Sequence, residues 1–503
     1  MTAYSRLMGK YREIVLIDST SRLLDWDLET HMPPQGLAIR ADQLGLLKRL
    51  RHRMLTSDEL ARLVKESEAE VDASEEVQSR NLYLLRRERE IAVSVPEDLV
   101  AALANQTAIS RDAWMKARAA RDWKVFEPEF QKVVDLSIAC AEATMDARGA
   151  SCVYDAMIDD YEMGMTNGQV ADLLGGLRMS LAPLVRKYSE ASRDVDPSCI
   201  RRAVPIGVQR DVVRDAVGLV GYDTTSDKAR GRMDDTTHPF TTGMFDDVRI
   251  ALRYREDGLI DSLLGGMHEA GHAMYDQNIN HDWMYQPVGS AASMGVHEAM
   301  SRFNENIIGL SRGFWTFYLP RLKGMTGSAF SDLQLDDLLR AVNKVEPSKT
   351  RVAADEVTYA LHIAIRFEIE RELFAGRLKV PEIPHMWSDL YDKYLQVRFD
   401  DDAEGVLQDI HWSAGAFGYW QSYAMGNVYG SMFLRELEKD IPGWADEAAN
   451  GRPGVAVTWL KDHVQHWGAL YTPEALTMKV TGSSLTPEPF VRYLERKHSA
   501  LWG

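Results

Sequence analysis

His268, Glu269 and His272 stand in the run GGMHEAGHAMYDQ, and their spacing is that of a metal site. On a helix, residues four apart lie one turn apart on the same face, so the two imidazoles project together. Zinc takes nitrogen ligands at roughly 2.0–2.1 Å in a tetrahedron, and a catalytic site leaves one position open for water. Glu269, beside the first histidine, can reach the proton of that water. A third protein ligand is needed. Glu298 in GVHEAMSRFNEN, 26 residues past His272, supplies it if a second helix returns beside the first. The bare motif also occurs on solvated helix faces. Here Met267, Ala270, Gly271, Ala273 and Met274 surround it, and charged groups in an apolar helix are costly to bury without an ion or a partner.

An activated water attacking an amide also needs something to steady the oxyanion. The run HWSAGAFGYWQSY offers His411, Tyr419 and Tyr423, with Gly415 and Gly418 permitting close backbone approach. A polar–aromatic core pair of His411 and Trp412 is the plain alternative. Arg351 and Asp355 fall at i,i+4 in SKTRVAADEV. They form a surface helical pair, or else the planar fork of Arg351 reads a carboxylate. Arg249 and Arg253 share one side of DVRIALRY, where either could meet an anion. Asp25, Asp27, Glu29 and His31, next to a Pro-Pro-Gly turn, read as caps or solvated side chains, and Trp26 as a packing anchor. Phosphate-cradling GxxxxGK[ST], strand-led GxGxxG and GxSxG are all absent from the sequence.

The elements that must position these groups are mostly helices. Tyr4, Leu7, Tyr11, Ile14 and Ile17 share a face over residues 1–25, Pro33, Pro34 and Gly36 break that helix, and another begins near Leu37. Long charged helices follow to residue 146, one of them opening at Thr56 with Asp58 and Glu59 behind it. Residues 147–235 are richer in loops, with a helix near 167–189 and another within AVPIGVQRDVVRDAVGLVGYD. DDVRIALRY alternates as an edge strand would, fed by TTHPFTTG as a loop, which puts a small β element just before the metal helix. In unrelated proteases such a strand holds an extended peptide by main-chain bonds. After Glu298 the periodicity is helical to residue 436. The fold class expected is mostly α.

Composition bounds the rest. The 503 residues carry a net charge of −17 without a Lys/Arg block, which argues against a nucleic-acid surface. Cys140, Cys152 and Cys199 are too few for a disulfide framework and form no CxxC pair. The start MTAYSRLMGKYREIV lacks the apolar core of a signal peptide, and no apolar run is long enough for a membrane span, so a cytoplasmic protein is expected.

Beyond the zinc motif, the chain resembles the thermostable carboxypeptidase (Taq-type) family, the M32 metallocarboxypeptidases. The likeness runs through LLDWDLETHMPPQG, VYDAMIDDYEMG, HPFT, DVRI, HEAGHAMYDQ, GVHEAMSRFNEN, RVAADEVTY, LQDIHWSAGAFGY and YTPEAL. It implies a neurolysin-like helical metallopeptidase fold with a deep central groove and a small β-sheet beside the HExxH helix. It implies residues 1–503 as one catalytic unit, with about 1–200 on one side of the groove and about 201–503 carrying the metal site. It further implies a homodimer and one zinc per chain, with cobalt as an alternative. The substrates would be peptides with a free C-terminus. Carried over by motif, His268, His272 and Glu298 are the ligands and Glu269 the general base. His238 begins the family's HPF motif, and Arg249 lies in its DxRxT motif. Arg351 binds the substrate carboxylate, and His411 and Tyr423 contact the oxyanion, with Tyr419 as the alternative. The sequence departs from the family pattern at Ala251, Ala299, Met300 and Ala353. An oligopeptidase cutting inside short peptides and a helical interaction protein without catalysis are the competing readings.

Overall fold

In the computed structural model, which describes residues 2–503, the first helix runs Ala3–Thr30 and stops just short of Pro33-Pro34. Proline lacks the N–H a helix needs and restricts the residue before it. The next helix, Leu37–Thr56, starts where the sequence expects it. Thr56 is not a helix start. It closes this helix, and its neighbour Ser57 caps the following one, Asp58–Glu70, by accepting from the Leu60 N–H. The described residues are mostly helical with one small sheet, as expected.

Contacts divide the chain into two compact units. The first comprises the chain up to Ala92 with Asp196–Val342 and Tyr429–Ser484. One of its cores joins Leu7 and Ile14 of the first helix to Leu55, Leu60, Leu63, Val64, Leu82 and Leu85. The same unit holds the sheet, made of β1 (Gly231–Asp235), β2 (Phe240–Met244) and β3 (Asp247–Leu252) in the order β1-β3-β2. β3 runs parallel to β1 and antiparallel to β2.

This corrects the sequence reading of the β element. DVRIAL is the central strand, and FTTGM, expected to be a loop, is an edge strand. Period-2 alternation cannot separate the two roles here, because Val248, Ile250, Ala251 and Leu252 are all buried. Gly243 makes the β2–β3 turn possible, since a Cβ there would lie 2.0 Å from the Asp247 carbonyl oxygen.

Two helices sandwich the sheet. Arg232 and Arg249 are paired across β1 and β3, and the Trp26 ring of the first helix lies against both guanidiniums, at 4.9 and 4.3 Å. Its indole N–H donates to Asp234. On the opposite face the helix Leu259–Asn278 packs through Gly266 against Leu252 and Val213. That helix is apolar and buried on nearly every side, so any ionisable group in it needs a specific partner.

The second unit comprises Val93–Val195, Asn343–Val428 and the chain from Leu485. Its helices include Glu97–Ala120, Glu127–Arg148, Asn167–Ala191 and Tyr359–Phe374. Arg351 opens a single 3-10 turn, Arg351–Ala353, instead of standing on a helix, so of the two readings of Arg351 and Asp355 the i,i+4 helical pair does not form. Asp355 bonds the backbone N–H groups of Glu346, Val357 and Thr358.

Candidate metal centre and a buried guanidinium cluster

His268 and His272 project from one face of the buried helix Leu259–Asn278. Gly271 lets the helix Met294–Arg302 approach that face, because a Cβ there would fall 2.3 Å from the Met300 carbonyl oxygen and 2.6 Å from Ser301 Cα. The approach brings Glu298 to the histidines. His268 Nε2 and His272 Nε2 lie 3.9 and 3.4 Å from Glu298 Oε2, and the three donor atoms fall within 4.8 Å of one another. Ligands bound at roughly 2.0–2.2 Å in a tetrahedron stand at about these separations. Two imidazoles and one carboxylate are also the right chemistry for a zinc-class ion, so the residues present fit such a group.

Each donor is held from behind. His268 Nδ1 lies 2.8 Å from Glu305 Oε2, and Arg302 bridges Glu305 and Glu298 through Nη1 and Nε. Glu305 lies on a π-helical stretch, Phe303–Gly309, directly after the Glu298 helix. Such widened turns are common at functional sites. His272 Nδ1 meets His297 Nδ1 at 2.5 Å, and Ser301 Oγ donates to Glu298 Oε2 at 3.2 Å.

Charge is balanced tightly here. Burial disfavours the His268 imidazolium, but Glu298 and Glu305 outweigh it and raise its pKa to about 9. Burial and the neighbouring imidazoles leave His272 below its ordinary value despite Glu298. Burial opposes the Glu298 carboxylate, yet Arg302 and the histidines hold its pKa far below the usual carboxyl range.

Glu269 is buried and points toward the sheet, where Thr241 Oγ1 of β2 lies 2.7 Å from its Oε2 and 3.0 Å from its main-chain oxygen. Sequence reasoning missed Thr241, because it read FTTG as a loop. It also missed Asp276, His297, Arg302 and Glu305, although Asp276 continues the i,i+4 face of His268 and His272.

In the second unit Arg351 lies beneath the rings of Tyr423 and Trp420, at 4.9 and 5.3 Å. Its Nε and Nη2 donate to Asp409 Oδ1 and its Nη1 to the Tyr359 hydroxyl. Asp409 also accepts from Arg366, whose side chain is 0% exposed. Two guanidiniums therefore share one carboxylate, leaving one surplus positive charge in a nearly dry cluster. His411 does not add to it: burial, aided by the guanidiniums and opposed by Asp409, lowers its pKa to about 4, so it is neutral near pH 7. Its Nε2 lies 3.3 Å from the Tyr423 hydroxyl, and Tyr419 stacks on its ring. Trp412 bonds to Glu370 and packs against Phe130 and Trp387, so it belongs to the core rather than pairing with His411.

The remaining residues singled out in the sequence lie elsewhere. His238 is exposed in the bend between β1 and β2. Arg249 is spent on Asp247 and Trp26, and Arg253 lies past the end of β3. His31 bonds to Asp234 and Asp27 pairs with Arg40. Of the departures from the family pattern, Ala251, Ala299 and Met300 are buried, with the Met300 sulfur accepting from Gln465. Ala353 is exposed.

Comparison with known proteins gives these geometries a context. A family model described as carboxypeptidase Taq (M32) metallopeptidase matches residues 6–498. The chain is 34% identical over 510 residues to thermostable carboxypeptidase 1 of Thermus thermophilus, covering 100% of this chain and 99% of the relative. It is 32% identical over 482 residues to carboxypeptidase 1 of Bacillus subtilis, covering 95% of each. The crystal structure of an M32 carboxypeptidase from Deinococcus radiodurans aligns with a TM-score of 0.95 at 32% identity, covering 100% of this chain and 99% of that one.

Proposed function

Because the chain belongs to the carboxypeptidase Taq (M32) metallopeptidase family and is a metallocarboxypeptidase, we propose that it removes C-terminal residues through one zinc-class ion held by His268, His272 and Glu298, with Glu269 as general base. One observation carries this reading: two imidazole nitrogens from one helix and a carboxylate oxygen from the helix packed beside it converge within 4.8 Å. Internal cleavage and a non-catalytic scaffold are not favoured by a match that spans the chain.

When bound, the ion supplies Lewis acidity that acidifies water and polarises the scissile carbonyl. The chain supplies the rest. Glu269 takes the proton of the attacking water at a carboxylate oxygen and returns it to the leaving amine. Thr241 fixes which oxygen is free to do so, by donating to Oε2. Arg351 reads the terminal carboxylate of the peptide, and the surplus charge it shares with Arg366 and Asp409 supports that role. His411, neutral and paired with Tyr423, offers a donor to the oxyanion, with Tyr419 beside them as the alternative.

The test separates ligands from base. Glu269→Gln should keep its metal and fold while turnover falls 10²–10⁴-fold, the usual contribution of a general base. His268→Ala should lose the metal. Metal content measured beside release of the last residue from an unblocked peptide decides both. A Gln variant with wild-type turnover removes Glu269 from the mechanism.

A further inference from the structure

The two imidazoles of the metal centre are oriented by different partners. His268 Nδ1 faces a carboxylate, Glu305, at 2.8 Å. Since a carboxylate only accepts, Nδ1 keeps a proton and Nε2 is the nitrogen turned to the ligand set. His272 has no such anchor. Its Nδ1 faces the Nδ1 of another imidazole, His297, at 2.5 Å. Only one of those nitrogens can carry the bridging proton, and the pair alone does not decide which.

The decision comes from the far side of His297. Its Nε2 lies 3.2 Å from Asp276 Oδ1. A carboxylate there holds the proton on His297 Nε2, and a neutral His297 then has a bare Nδ1 that can only accept. His272 must donate from Nδ1, so its Nε2 lone pair stays open toward Glu298 Oε2, 3.4 Å away. The opposite arrangement sets a bare Nε2 against the Asp276 carboxylate and puts a proton on His272 Nε2, where it blocks ligation. Resting on the ligand set proposed above, we infer that Asp276 and His297 are positioning residues that fix the ligating tautomer of His272.

The architecture suits this role. His268, His272 and Asp276 follow one another at i, i+4 and i+8 along one helix face. His297 enters from the neighbouring helix Met294–Arg302, its ring 4.7 Å from that of His272 and 5.3 Å from that of Tyr275. The His272, His297 and Asp276 side chains are only 14%, 15% and 19% exposed, so bulk water does little to level the two tautomers.

The readout is zinc affinity, measured on metal-stripped full-length protein by competition with a chromophoric chelator. Asp276→Leu and His297→Leu should bind zinc roughly 10–100-fold more weakly, the usual cost of losing such a support. His297→Gln should stay within a few-fold of wild type, because its amide still presents one acceptor and one donor. Melting temperatures of the metal-free variants should match that of metal-free wild type, which a merely structural role would not allow. Wild-type affinity in Asp276→Leu overturns the inference, and so does a Gln variant as weak as Leu. His272→Ala tests the underlying ligand set separately: if it binds zinc as wild type does, that reading fails and this inference with it.

Discussion

The general base proposed above works only while its lone pair stays aimed, and the Thr241 hydroxyl lies against Glu269 Oε2. Thr241→Val keeps the shape of the side chain and removes the bond to Oε2. The expected result is a roughly tenfold lower kcat, about 1.4 kcal/mol of barrier, with zinc content unchanged and Thr241→Ser close to wild type. Steady-state kinetics with metal analysis checks this, and a kcat loss that follows metal loss would refute it. Arg351 sets a second test at this scale. A buried site with one cation in surplus favours an anion, so wild type should discriminate strongly between peptides with a free and an amidated C-terminus. Arg351→Gln should lower kcat/KM on free peptides by roughly 100-fold or more, about 3 kcal/mol, and leave amidated peptides little changed. Equal losses on both would show that Arg351 serves only the packing of Tyr423 and Trp420. That His268 and His272 share a face was legible in the sequence because helical spacing is a local property, whereas Glu298 joins them only through a second helix that returns beside the first. Thr241, Glu305 and the partners of Arg351 were not legible, since they arrive from separate strands, turns and helices that no spacing rule connects.

The metal centre depends on how closely two helices approach. Gly271 sits where a methyl group would strike the Met300 carbonyl, so Gly271→Ala must push the Glu298 helix outward. Overpacking of this kind costs about 1–3 kcal/mol. A lower melting temperature and a weaker zinc affinity should appear together in Gly271→Ala, and an unchanged affinity would mean that Glu298 does not need this contact. The sequence displayed Gly271 between the histidines, but only the crossing helix explains it. It also placed DVRIAL at an edge of the sheet, because alternation reports which face is buried and not which strand is flanked on both sides. In the second unit Glu370 binds the segment that carries His411 at both ends, accepting from Trp412 Nε1 at 2.7 Å and from the Gly418 N–H at 2.8 Å. It also accepts from the Tyr154 hydroxyl. Burial outweighs these donors and raises its pKa to about 7. The folded protein then binds this proton more tightly than the unfolded chain does. Its contribution to stability is complete below the unfolded value near 4.5 and is lost as pH rises through about 7. Relative to Glu370→Gln, wild type should lose stability over that window, by up to about 3 kcal/mol. Denaturant melts of both proteins from pH 4.5 to 7.5 test this, and parallel curves would contradict it.

At the scale of the whole chain the sequence was informative about class. Its helical periodicity, its acidity and the ordered run of family motifs all agree with a mostly helical metallocarboxypeptidase, and no described helix is long and apolar enough to cross a membrane. What the sequence could not reveal is which apolar side chains the fold leaves uncovered, because that depends on every neighbour at once. The helix Leu37–Thr56 buries only Leu55. Leu37, Ile39, Leu46 and Leu50 on it stay exposed, as do Leu16 and Leu23 on the helix before it. Exposed apolar side chains are what an interface between two copies would cover, and we propose that these helices carry the homodimer implied by the family resemblance. A stable interface needs about 800 Å² from each partner, and helices of 28 and 20 residues, roughly 42 and 30 Å long, offer enough length for it. Each copy brings a formal charge of −17, so association should strengthen as salt screens the repulsion over about 10 Å at 0.1 M. Sedimentation at micromolar concentration should therefore give a dimer for wild type, tighter at 0.15 M salt than at 0.02 M. Leu46→Glu with Leu50→Glu should sediment as a folded monomer, because two carboxylates buried against their symmetry mates cannot find partners. A monomeric wild type, or a double variant that dimerises as well as wild type, would remove these helices as the interface.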